Sequence, residues 1–171
     1  MGFGLKPVPP CNIAESINVT NNSNLTIEAG VRVNFIDHYK LQVEGSLTAQ
    51  ALANDTIHFT AIDTSAGWYG VRFNNLFSTN DSSRFSDCSF QWGKATEINN
   101  DANGGAFLIH NFRKVSIKNS RNNNNNNNNN TGGAIYSINR SPIISNNQIT
   151  NNSGGSAILA ENSGNYQFYT M

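Results

Sequence analysis

Apolar and polar residues alternate in short bursts along this chain. Leu25 and Ile27 share one side of a run, and Val31, Val33 and Phe35 share one side of the next. Leu41 with Val43, Leu47 with Ala49, Ile57 with Phe59 and Val71 with Phe73 repeat the pattern. A period of two is the signature of a strand with one buried face. Each burst ends within a few residues at a turn-forming group, as at Gly30, Gly45, Asn54 with Asp55, and Gly67. No run of a dozen residues carries an apolar stripe of period 3.6. The pattern therefore predicts short strands and no helix longer than a turn or two.

The bursts repeat. Gly-Gly pairs stand at Gly104 and Gly105, Gly132 and Gly133, and Gly154 and Gly155, at intervals of 28 and 22 positions. Each opens a similar apolar phrase. Self-similar units of this size, each unable to bury its own apolar face, stack into a solenoid. The expected fold is an all-β solenoid of roughly seven coils, at about 22–25 residues per coil. Residues 1–17 are expected to form a linker or cap, and residues 18–171 the stacked coils. Leu25, Ile27, Val33, Phe59, Cys88, Phe90, Ile117, Ile144 and Ile158 are among the residues assigned to the interior. The recurrent asparagines suit turn positions, where they tolerate left-handed backbone and can stack as a hydrogen-bonded ladder.

The tract 122–130, nine consecutive asparagines, breaks the pattern. Laying Lys114 to Asn125 over Ser141 to Asn152 puts Asn122 opposite Ile149, at a position that points inward. An unpaired amide there costs about 1–3 kcal/mol. A loop bulging out of the coil over residues 121–131 is therefore expected. At the far end, Tyr166, Phe168 and Thr170 alternate with Gln167, Tyr169 and Met171, which predicts a further strand and no helical lid. An uncapped ladder edge invites a continuing domain or a second copy stacked head-to-tail, which can propagate as a filament.

Composition narrows the function classes. Among 171 residues, Lys plus Arg and Asp plus Glu each number 11, so the formal charge is zero, which argues against nucleic-acid binding. Asparagine, at 31 residues, disfavours a helical protein. No apolar run is long enough to span a membrane. The first ten residues lack the build of a signal peptide. Two cysteines, Cys11 and Cys88, are too few for a disulfide framework. The three histidines and the cysteines show no metal-ligand spacing, so neither a metal nor a cofactor is expected. The eleven acids are scattered at one or two per coil, and no residue is assigned a catalytic role. Trp92 and Tyr69 are the candidates for stacking on a sugar ring.

Several phrases carry a resemblance. The runs from Leu25 to Phe35, Leu41 to Ala49, Ile57 to Thr60 and Gly67 to Phe73 resemble secreted parallel β-helix proteins with pectate-lyase-like repeats, in particular Bacteroidetes-type surface proteins. Gly132 to Tyr136 also resembles polymorphic outer-membrane-protein and adhesin repeats. The resemblance implies a right-handed, single-stranded parallel β-helix over residues 18–171, with three-faced coils, and an extracellular or cell-surface location. It does not fix an activity, because this fold carries enzymes and adhesins alike. The expected function is that of a non-catalytic surface adhesin, scaffold or fibre subunit. The alternative is a module that binds or degrades polysaccharide, with glycan as the partner.

Overall fold

The computed structural model describes residues 9–52, 54–74, 82–96, 102–112, 114–126 and 132–162, with the backbone of 168–169. Its strands fall into three parallel sheets of six, and every third strand along the chain joins the same sheet. Sheet A holds β1 (Cys11–Ile13), β4 (Arg32–Phe35), β7 (Ile57–Ala61), β10 (Cys88–Gln91), β13 (Arg121–Asn123) and β16 (Gln148–Thr150). Sheet B holds β2 (Ile17–Val19), β5 (Lys40–Val43), β8 (Gly70–Asn74), β11 (Phe107–His110), β14 (Ile135–Ile138) and β17 (Ile158–Glu161). Sheet C holds β3 (Asn24–Ile27), β6 (Ser46–Gln50), β9 (Ser83–Ser86), β12 (Val115–Lys118), β15 (Ile143–Ser145) and β18 (Phe168–Tyr169). The chain is a parallel β-helix of six or seven coils.

The coils differ in length more than the sequence pattern suggests. Leu25 pairs with Leu47, 22 positions on, whereas Val71 pairs with Phe107, 36 positions on. The register also takes in more chain at the start. Cys11–Ile13 pairs with β4, so the first coil begins inside the stretch 1–17 expected to be a linker or cap. At the other end, β18 adds to β15 as the strand expected there.

Alternation sets the interior. Of the interior residues named above, Val33, Phe59, Cys88, Phe90, Ile117 and Ile144 are buried, while Leu25, Ile27 and Ile158, in the outermost coils, are half-buried. Aromatic rings form the middle of the core. Phe59 stacks on Phe90 at 4.7 Å between centroids, and Phe107 meets Phe90 edge-on at 4.6 Å. Trp68 stacks on Phe35 at 4.4 Å and donates its Nε1–H to the Gln91 carbonyl at 2.8 Å.

Corners are built from left-handed residues stacked in columns. Between sheets C and A the column is Asp87, Asn119 and Asn146; between A and B it is Trp92, Asn124 and Asn151; between B and C it is Asn111, Asn139 and Asn162. All nine have φ between 49° and 62°. Asparagine enters this region at less cost than other side chains bearing a Cβ. After Asn119, Asn124, Asn146 and Asn151 the next residue turns a polar side chain against neighbouring coils. Asn125 Oδ1 accepts the Gly93 N–H at 2.8 Å, and its Nδ2 donates to the Phe90 carbonyl at 3.2 Å. Asn152 Oδ1 accepts from the Asn125 backbone N–H at 2.9 Å, and its Nδ2 reaches the Asn122 carbonyl at 2.8 Å. Ser120 and Asn147 do the same work at the next corner, where the Cys88 N–H donates to Ser120 Oγ and the Ser120 N–H to Asn147 Oδ1.

The loop expected over 121–131 is corrected by this arrangement. Arg121–Asn123 is strand β13, paired with β10 on one side and β16 on the other. Asn122 lies between Phe90 and Ile149, fully buried, as the overlay of the two phrases implies. Its side-chain oxygen and nitrogen both lack a hydrogen-bond partner. Two ladders of backbone hydrogen bonds and the Asn125 cap hold the segment in the coil despite that amide. Residues 127–131 lie outside the described residues.

Two buried asparagines three residues apart should therefore respond oppositely to mutation. Asn122→Val removes an unsatisfied amide from an apolar column and should stabilise the protein by about 1–2 kcal/mol. Asn125→Ala strips the partners from the Gly93 N–H and Phe90 carbonyl and should destabilise it by about 1–3 kcal/mol. Urea midpoints of the two variants, compared with the parent, check both signs.

Candidate functional site

The outer face of sheet C collects positive charge. One outward row runs Thr26, Thr48, Arg84, Ser116 and Ile143 across adjacent coils. The next runs Gln50, Ser86, Lys118 and Ser145. Arg84 and Lys118 thus sit on neighbouring strands, two residues out of step, with Cα atoms on the order of 8 Å apart. Together with Lys114 they line an open groove of about 290 Å³, whose other walls are Gln50, Ser82, Ser86, Ser116 and Ile143 over a floor of Phe85 and Val115. Among these lining residues there are three cations and no carboxylate. Arg84 and Lys118 are exposed, and Ile143 is an exposed apolar neighbour. A planar guanidinium, flexible ammonium groups and hydroxyls suit an oxyanion or a polyol carrying one.

A smaller hollow of about 170 Å³ lies at the corner between sheets C and A, lined by Thr56, Asp87, Cys88, Asn119 and Arg121. Cys88 faces inward from there. Its Sγ–H donates to the Ala49 carbonyl at 3.3 Å, and burial pushes its pKa up to about 12. Cys11 is exposed, and neither cysteine is in a disulfide.

The two aromatic candidates lie elsewhere. Tyr69 is 2% exposed, so its ring is closed to a sugar. The Arg72 guanidinium lies over that ring at 4.7 Å, the Lys40 ammonium at 5.6 Å, and His38 meets it edge-on at 5.2 Å. Arg72 itself is buried on the outward side of sheet B, where Nη1 donates to the Gly104 carbonyl at 2.9 Å. Trp92 is half-buried, packs partly against the core, and occupies the left-handed corner position that Asn124 and Asn151 fill in the following coils. That corner joins A to B and faces away from sheet C.

Described acids such as Asp63 and Glu161 serve local structure. Asp63 Oδ1 accepts from the Ser65 hydroxyl at 2.6 Å and from the Ser65 N–H at 2.8 Å, which hold its carboxyl below the usual range. Glu161 accepts from the Tyr136 hydroxyl at 2.8 Å. Among the described residues, no three His, Cys, Asp or Glu side chains group closely enough to hold a metal ion. Asp81, Glu97 and Asp101 lie outside the described residues.

Comparison with protein-family models, curated proteins and solved structures finds no match.

Sequence reasoning looked for acids and aromatics, and so passed over Arg84, Lys114 and Lys118. The signal was present but nonlocal. Aligning Phe85 with Ile117 as inward residues of successive coils places Arg84 beside Ser116 and Ser86 beside Lys118.

The two thiols should separate cleanly in reactivity. At about pH 8, iodoacetamide should alkylate Cys11 and spare Cys88, whose thiol is buried and stays protonated. Both should react in denaturant, and mass spectrometry of the intact and digested protein counts them.

Proposed function

We propose that this protein is a non-catalytic surface adhesin or scaffold of the extracellular kind, which holds a glycan bearing acidic groups in the groove of sheet C. The observation that carries the reading is the convergence of Arg84, Lys114 and Lys118 with serine hydroxyls on one face of a chain whose total charge is zero. Hydrolysis of a glycosidic bond commonly uses a pair of carboxyl groups flanking it. Cations and hydroxyls instead supply charge-assisted and neutral hydrogen bonds, the means of holding a substituted sugar.

The solenoid adds a reason for a polymeric ligand. Coils recur at about 4.8 Å, so outward side chains repeat on a spacing close to one pyranose unit. A chain laid across the coils meets Arg84 and Lys118 on adjacent strands. Nucleic acid fits less well, because Phe85, the aromatic residue under the groove, faces inward and offers no ring for a base.

Immobilised alginate, a carboxylated polysaccharide, and neutral dextran test the reading. The parent should bind alginate and ignore dextran. The double variant Arg84→Gln with Lys118→Gln should lose about tenfold in affinity, equivalent to about 1.4 kcal/mol. Raising salt from about 0.05 to about 0.5 M should weaken parent binding further. Equal binding to both polymers, or an unaffected double variant, would overturn the glycan reading. Accumulation of unsaturated sugar product on incubation with alginate or pectin would replace the adhesin with a lyase.

A further inference from the structure

A second cationic row lies on sheet A, and its chemistry differs from that of the groove. The register aligns Arg32 beside His58, His58 beside Ser89, and Ser89 beside Arg121, on four successive strands. All four alternate with inward residues: Val33, Ile57 with Phe59, Cys88 with Phe90, and Asn122. Their side chains therefore share the outer face. Strand spacing puts His58 and Arg121 about 5 Å to either side of Ser89, and Arg32 one strand beyond His58.

We propose that this row is an oxyanion site: a sulfate, phosphate or carboxylate group seats over Ser89 between His58 and Arg121, with Arg32 behind His58. The arrangement has the parts such a site requires. Arg121 and Arg32 are exposed and hold permanent positive charge. Ser89 is 4% exposed and forms the floor between two longer side chains. Among the described residues, none of the four side chains pairs with another in a hydrogen bond or ion pair. His58 is half-buried and supplies a donor that depends on pH.

The proton balance follows from what surrounds the imidazole. Strand β4 contributes Arg32, β10 contributes only the Ser89 hydroxyl, and β13 contributes Arg121. Asp87 shares the corner hollow with Arg121 and is the carboxylate among that hollow's lining residues. Burial, then Arg32, then Arg121 lower the His58 pKa. An anion seated beside the ring reverses the two electrostatic causes and favours the imidazolium. Binding thus takes up a proton at His58, and the site tightens as pH falls through the His58 midpoint. By reciprocity, a one-unit rise in that midpoint on binding corresponds to about tenfold tighter anion binding by the protonated site.

The experiment is an NMR titration of the histidine Cε1 protons from acid to neutral pH, with sodium sulfate replacing sodium chloride at constant ionic strength. Sulfate keeps its charge across that range, so any shift belongs to the protein. His58 should move up by about 0.5–1 pH unit in sulfate, while His38 and His110 should not follow. Without sulfate, Arg121→Gln should raise the His58 midpoint, because a cation has been removed. With sulfate, the further rise should be lost in that variant. Repeating the titration with dextran sulfate identifies the source of the group: a rise there supports a polymer-borne anion, and a rise with inorganic sulfate alone supports a free ion. No movement of His58 with either, equal movement of all three histidines, or a sulfate response unchanged in Arg121→Gln would overturn the site.

Discussion

The left-handed corner is the constraint on which the rest of the structure depends. A parallel coil must turn three times per circuit while its peptide groups remain bonded to the coils on either side. An ordinary residue in left-handed backbone costs roughly 1–2 kcal/mol, whereas asparagine and glycine enter it more readily. Eight of the nine corner positions in the three columns are Asn or Asp, and Trp92 is the exception. The corners between sheets C and A and between A and B then leave backbone groups that no strand pairs. The inward amides of Asn125, Asn147 and Asn152 satisfy them and tie adjacent coils together. Among the described residues, ten of the 31 asparagines in the chain supply the corner or the cap of successive turns.

Much of this was legible in the chain, and the failures have physical causes. Period-two alternation depends on nearest neighbours alone, so Val33, Phe59, Phe90 and Ile144 were placed inside correctly. The Gly-Gly pairs marked points where coils approach closely: a Cβ at Gly105 would come within 2.7 Å of the Gly133 carbonyl oxygen in the next coil. Asn122 was aligned opposite Ile149 correctly, yet expected to leave the coil. Local cost was weighed without the ladders that hold its backbone on both sides. Coil length was misjudged for the same reason, since the 36 positions from Val71 to Phe107 are fixed by pairing across space. The basic rows on sheets A and C are products of register, and register between distant strands is not written in any one segment.

Zero net charge conceals this sorting. Outward positions on sheet C collect Arg84, Lys114 and Lys118, and those on sheet A collect Arg32, His58 and Arg121. Described acids such as Glu28, Asp55 and Asp63 sit in turns and exposed connections. The division follows from strand geometry. A strand face presents side chains at fixed spacing, so like charges placed there reinforce one another toward a ligand. A turn acid, by contrast, finds local N–H donors, as Asp63 does with Ser65 and Ala66.

The two cationic faces are also mechanically joined. Lys118 ends β12 on sheet C and Arg121 begins β13 on sheet A, separated by the corner residues Asn119 and Ser120. That corner is pinned, because Ser120 Oγ accepts the Cys88 N–H and donates to the Lys118 carbonyl, while the Ser120 N–H donates to Asn147. The angle between the faces is thus set by buried hydrogen bonds and needs no ordering when a ligand arrives. Were one ligand to span both proposed sites, their rigid spacing would raise the effective concentration for the second contact once the first has formed. A branched or flexible polyanion can wrap this corner; a stiff rod cannot, and must choose one face. The Asn-rich corner that permits the fold therefore also fixes the angle between the two cationic faces.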